Sequence, residues 1–207
     1  MNRSVETVRF LMEICEVPNG LVRSFIAVDL DDEKLLQSIV EAQQTLSRAG
    51  GDLKLVEPQN IHITLRFLGE IRQELVQEII EQMKEVRFSP FTARFKGVGV
   101  FPNVHRPRVV WIGIEDGAKE MSDISNVLEK GLRTLRVQPD NRGFTPHLTV
   151  ARVRSGRNIS ELSRTISEMQ DMEFGSIGVN CVRLKKSTLS SGGPMYEDIY
   201  RLQAISG

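Results

Sequence analysis

Two stretches of the chain share one chemical pattern. His62-Ile63-Thr64, inside NIHITLRFLGE, and His147-Leu148-Thr149, inside TPHLTVARV, each set a histidine and a threonine two residues apart in an apolar run. The chain has only three histidines, and threonine fills 9 of its 207 positions, so chance seldom produces this pairing twice. Side chains two apart on a strand share a face. His62 and Thr64 are therefore expected on one face and Ile63, Leu65 and Phe67 on the other, towards a core. His147 and Thr149 likewise oppose Leu148 and Val150. An imidazole suits proton transfer near neutral pH, and a hydroxyl beside it can donate or accept hydrogen bonds.

If two such strands face each other across a cleft, they frame an anionic group. One histidine takes a proton from an attacking water and the other gives one to the leaving oxygen. The two threonine hydroxyls donate to oxygens on which charge builds. These are the requirements for metal-free cleavage of a phosphodiester. A metal-dependent hydrolase would need His, Asp or Glu clustered at ligand spacing, and neither motif has a second ligand within reach. GVGVF lacks the third glycine and the following helix of a dinucleotide site. There is no nucleophile elbow for a serine hydrolase. His105, in FPNVHRPRVVW, has no partner threonine and sits among turn residues, so it reads as a loop histidine.

Around these motifs the pattern is that of an ordinary globular chain: 40% of residues are hydrophobic, 26% are charged, and the net charge is zero. A neutral chain is poorly suited to bulk binding of nucleic acid, although a few local arginines can still grip one nucleotide end. Cys15 and Cys181 have no metal-like spacing and suit a reduced, cytoplasmic setting. The first twenty residues have a short amphipathic helix over 3–15 and no continuous apolar core, so they read as neither signal peptide nor membrane span. They form an N-terminal extension (1–20) ahead of a single bilobal domain (21–207).

Within that domain, apolar periodicity predicts strands at 23–30, 53–56, 61–68, 91–102, 108–115 and 147–153, with a final pair at 176–189 and 195–204. Helices are expected over 31–50, 72–86, 117–136 and 159–170. Helix, His-x-Thr strand, helix and a pair of strands recur in each half, as in a duplicated α+β lobe.

Four segments, SFIAVDL, NIHITLRFLGE, FTPHLTVARV and STLSSGGPMYEDIYRL, together resemble the RNA 2′,3′-cyclic phosphodiesterases, also called the 2′-5′ RNA ligase family, within the two-histidine phosphoesterases. FPNVHRPRVVWIGI is similar to that family's middle strand pair, and the match runs over about 22–203. The resemblance implies an α+β fold of two pseudo-symmetric lobes, with antiparallel sheets facing a central cleft and helices packed outside. It implies hydrolysis of RNA 2′,3′-cyclic phosphate ends to 2′-phosphates without a metal or other cofactor. It carries His62 and His147 to the catalytic positions, with His62 as acid on the leaving 3′ oxygen and His147 as base. It carries Thr64, Thr149 and Arg152 to phosphate binding. RNA ends or cyclic nucleotides would be the substrate of a monomer with no membrane or protein partner.

Arg152 breaks the simple alternation. By parity it belongs with Leu148 and Val150, so reaching a phosphate beside Thr149 requires the strand to end or bulge near Ala151. Arg66 shares the parity of His62 and Thr64 and is a candidate RNA contact at the outer cleft. Phe25 and Tyr196 are candidate stacking partners for a base. Two other activities use the same residues: 2′-5′ ligation, the reverse chemistry, and simple retention of RNA ends. Matched acid and base groups exceed what retention needs.

Overall fold

The computed structural model describes residues 20–140, 143–191 and 193–205; the helix expected over 3–15 lies outside them. The elements run β1 (Leu21–Asp29), α1 (Glu33–Arg48), β2 (Leu53–Leu55), β3 (His62–Arg72), α2 (Leu75–Lys84), β4 (Phe91–Phe101), β5 (Val109–Ile114), α3 (Ala118–Thr134), β6 (His147–Val153), α4 (Ile159–Glu168), β7 (Glu173–Val179), β8 (Cys181–Ser190) and β9 (Gly193–Gln203). Local chemistry sets the boundaries. Asp32 caps α1 by accepting from the Leu35 N–H at 2.8 Å. Pro58 opens a 3₁₀ turn that ends at Asn60, just before β3.

The chain's last run holds three strands where two were expected. It breaks at Asn180, where β7 and β8 part into different sheets. One antiparallel sheet has the order β3-β1-β8-β9 and the other β2-β6-β5-β4-β7. Apart from β2 they correspond strand for strand, with a His-x-Thr strand leading each. The lobes are not successive halves of the chain, however. β4 and β5, which follow the first His-x-Thr strand, both join the second sheet, and the chain's end returns to complete the first. Periodicity reveals that a segment is a strand and is silent about its partner.

Each sheet buries its helix-facing side. α2 and α3 pack on the first, α1 and α4 on the second. Ile26, Ile63, Val182 and Leu184 are wholly buried on one side, as are Phe95, Val110, Ile112, Leu148 and Val150 on the other. Each such side chain contributes roughly 1.5–3 kcal/mol by leaving water. The apolar residues between histidine and threonine thus anchor each motif from behind. The two His-x-Thr strands, β3 and β6, lie against one another across the two sheets. Among the described residues no helix is long and apolar enough to cross a membrane.

Candidate active site

His62 and His147 are held in the same way. His62 Nδ1 lies 2.8 Å from the Asn60 carbonyl and His147 Nδ1 lies 2.6 Å from the Thr145 carbonyl, in both cases two residues back along the chain. A carbonyl only accepts, so Nδ1 carries a hydrogen in each ring. Nε2 is left on both rings as the atom that can take or give a proton. Thr64 and Thr149 are half-buried beside them, and no other described residue engages either hydroxyl.

Both strands bulge just after the threonine. On β6, Thr149 pairs with Trp111 and Ala151 with Val110, which leaves Val150 as an extra residue. The shift puts Arg152 opposite Val109 and on the face of Thr149, where alternation alone would have turned it away. Arg152 is exposed there, and its charge favours ionisation of Tyr196 on the other sheet, against the larger effect of burial. On β3, Thr64 pairs with Ala27 and Arg66 with Ile26, which leaves Leu65 extra.

This second bulge overturns two expectations. Arg66 does not line the cleft. It is 6% exposed and bound to Glu129 at 2.6 Å, to the Gln138 carbonyl at 2.5 Å and to the Phe67 carbonyl. Phe67, expected in the core, emerges 49% exposed on the face of His62. Each bulge carbonyl is captured from behind by a buried polar side chain on a helix. Gln43 of α1 donates to Val150 O at 2.8 Å, and Ser125 of α3 donates to Leu65 O at 3.0 Å.

The surroundings of the two histidines differ. His62 sits among rings, 4.8 Å from Phe25 and edge-on to Tyr196 at 5.2 Å. Phe25 is only 3% exposed, so it supports His62 from below and has no face free for a base, contrary to expectation. Tyr196 is half-buried, its ring edge-on to Phe25 and His62. Burial is the main cause of a lowered His62 pKa; the Asn60 carbonyl and Asp29 push it back up, and Lys185 presses it down. Asp29, the cross-strand neighbour of His62, lies within 2.5 Å of both Arg183 and Lys185, and Lys185 also meets Asp198 at 2.9 Å. The matching places beside His147 and Thr149 hold Gly113 and Trp111, with Gly99 next along. Trp111 lies so flat on Gly99 that a Cβ there would come within 2.3 Å of the indole. Phe101 packs on Trp111 at 5.2 Å and meets His147 edge-on at 5.0 Å. Both histidines thus meet aromatic rings, and His62 has in addition an ionic cluster beside it.

His105 lies in the exposed turn between β4 and β5. Among the described residues, no three His, Cys, Asp or Glu side chains gather where a metal ion could be held. Asn60, Gln43, Ser125, Phe67 and Lys185 complete the site. Nothing in their spacing marks them; only the pairing of strands does.

Two corresponding sheets, each presenting one His-x-Thr strand to the other, define the two-histidine phosphoesterases. The model of the LigT-like phosphoesterase family matches the chain twice, over residues 28–111 and 112–196, and the chain belongs to that family. The RNA 2′,3′-cyclic phosphodiesterase of Archaeoglobus fulgidus is 40% identical over 178 residues, covering 86% of this chain and 98% of that one. That of Aeropyrum pernix is 38% identical over 168 residues, covering 81% and 96%. The crystal structure of TT0787 of Thermus thermophilus aligns with a TM-score of 0.72 at 30% identity, covering 87% of this chain and 97% of that one.

Proposed function

We propose that this enzyme hydrolyses RNA 2′,3′-cyclic phosphate ends to 2′-phosphates by acid-base catalysis between His62 and His147, without a metal. The observation that carries the reading is the matched pair of Nδ1 hydrogen bonds, which frees Nε2 of both rings on facing strands. The names of the relatives from Archaeoglobus and Aeropyrum support the substrate class. His147 Nε2 takes the proton of a water as the water oxygen bonds to phosphorus. The P–O3′ bond breaks, and protonated His62 gives its proton to the departing 3′ oxygen. Thr64, Thr149 and Arg152 donate to the non-bridging oxygens as charge accumulates there. Burial works against protonated His62 in the free enzyme. A seated phosphate anion works in the opposite direction, because an opposite charge close by favours the cation. Incubation of a nucleoside 2′,3′-cyclic phosphate with the protein in excess chelator should yield the 2′-phosphate alone. Formation of the 3′ isomer, or loss of turnover in chelator, would overturn the proposal.

A further inference from the structure

Lys185 has no part in the reaction described above, yet it is only 7% exposed. It stands on the cleft side of the first sheet, opposite Phe25 on β1 and Asp198 on β9. Its ammonium lies 2.5 Å from Asp29 and 2.9 Å from Asp198. Arg183 also holds Asp29, at 2.5 Å, and meets Asp31 at 2.9 Å. Charges taken out of water return little net stability. The cluster therefore calls for a role beyond holding strands together.

Its position supplies one. Asp29 on β1 and His62 on β3 are direct cross-strand partners. Side chains so paired share a face, with Cβ atoms about 4.5–5.5 Å apart. Phe25 and Tyr196 enclose the ring, and little water is left to screen the two groups from one another. Nδ1 of His62 is taken by the Asn60 carbonyl, so Asp29 acts on the ring through its charge and leaves Nε2 free. That negative charge favours the imidazolium, and the Lys185 ammonium bound to it opposes the effect. Among the described residues, the other titratable or charged groups facing the ring are Tyr196 on β9 and, from the facing β6, His147 and Arg152. Glu57, ahead of β3, is engaged by the Asn60 side chain at 3.3 Å. Beside His147 the place corresponding to Asp29 is Gly113, which has no charge to offer.

We infer that Asp29 and Lys185 are positioning residues that act through His62 in opposite directions: Asp29 holds on the imidazole the proton meant for the leaving oxygen, and Lys185 limits that hold so that the proton can be given up. The inference rests on the phosphodiesterase reading, in which His62 is the acid.

The test is a ring-proton NMR titration of His62, whose resonance is the one missing from His62→Gln. Asp29→Asn should lower the midpoint by roughly half a pH unit or more, the effect of removing one charge from a close neighbour. Lys185→Met should raise it. Asp31→Asn, which takes a carboxylate from the solvent side of the same cluster, should leave it in place. Disruption of packing would expose His62 and raise its midpoint, so a fall in Asp29→Asn cannot come from disruption. At pH 8, where the protonated acid is scarce, Asp29→Asn should also lower kcat/KM for a nucleoside 2′,3′-cyclic phosphate about threefold. Midpoints that both stay, or that move the same way, overturn the inference and leave the phosphodiesterase reading standing; Asp29→Asn decides alone if Lys185→Met does not fold. Absence of hydrolysis by the natural chain overturns that reading and the catalytic role of the pair with it.

Discussion

The side chain of Asn60 donates to the carbonyl of Pro194 at 3.1 Å and thereby fastens the β8–β9 hairpin to the start of β3. The carbonyl of the same residue orients His62. Asn60 is buried, and the hairpin it fastens brings Tyr196 against the imidazole. Asn60→Ala keeps the backbone carbonyl and releases the hairpin. The variant should lose about 1 kcal/mol of stability, the net value of such a hydrogen bond. With less burial, the His62 pKa should rise towards the ordinary imidazole value, which a ring-proton NMR titration would read. An unmoved titration would show that the hairpin does not enclose His62.

The lowered His62 pKa also has a consequence for stability. The folded chain binds fewer protons at His62 than the unfolded chain does, so this residue's contribution to stability falls as pH drops through the unfolded value of 6.5 towards the lowered one. Urea unfolding of the natural chain and of His62→Gln, followed from pH 8 to pH 5, should show a difference that narrows on acidification. A constant difference would mean that His62 titrates alike in both states.

Each histidine should be indispensable on its own. His62→Ala and His147→Ala should each lower kcat by about 10²–10⁴-fold, the usual worth of a positioned acid or base. Neither should disturb the fold, since both rings project from strands anchored by Ile63 and Leu148. Far-ultraviolet circular dichroism checks the fold and steady-state hydrolysis checks the chemistry. One harmless replacement would end the paired acid-base account.

Arg66 and Arg152 should separate stability from catalysis. Arg66→Met removes the buried partner of Glu129, which keeps Arg133 at 2.9 Å. The cost should lie near the lower end for a broken buried pair, about 3 kcal/mol, with the KM for a cyclic nucleotide retained. Arg152→Ala, at an exposed position, should leave unfolding unchanged and lower kcat/KM at least about tenfold, as expected for loss of a donor to developing charge. Urea titration and steady-state kinetics on both variants decide the matter.

That division could not have been read from periodicity. The motifs, the helices and the buried faces follow from apolar spacing and end signals, because Ile63, Leu148 and their neighbours obey alternation. Alternation fails at Leu65 and Val150, where one inserted residue reverses the parity of the residues that follow, on β3 until a second bulge at Leu68 restores it. Arg66 and Phe67 therefore exchange their expected places, and Arg152 reaches the cleft by a bulge that parity alone only made necessary. Asn60 and Tyr196 are 136 positions apart in numbering and meet through a hairpin whose sheet partner no local pattern specifies.

Gln43 offers a test of the bulge itself. Its amide donates to Val150 O at 2.8 Å and to Val56 O at 2.7 Å from a buried position on α1. Gln43→Leu leaves the Val150 carbonyl with the Val56 N–H at 2.9 Å as its remaining donor. The cost should be about 1–3 kcal/mol for an under-satisfied buried group. With the bulge less firmly held, β6 can revert to regular alternation, which turns Arg152 away from Thr149. Gln43→Leu should therefore lower kcat/KM in the same direction as Arg152→Ala. If it acts through Arg152, the double variant should be scarcely slower than Arg152→Ala alone, whereas independent sites add their effects. Full additivity in the kinetic double-mutant cycle would show that Gln43 supports stability without aiming Arg152.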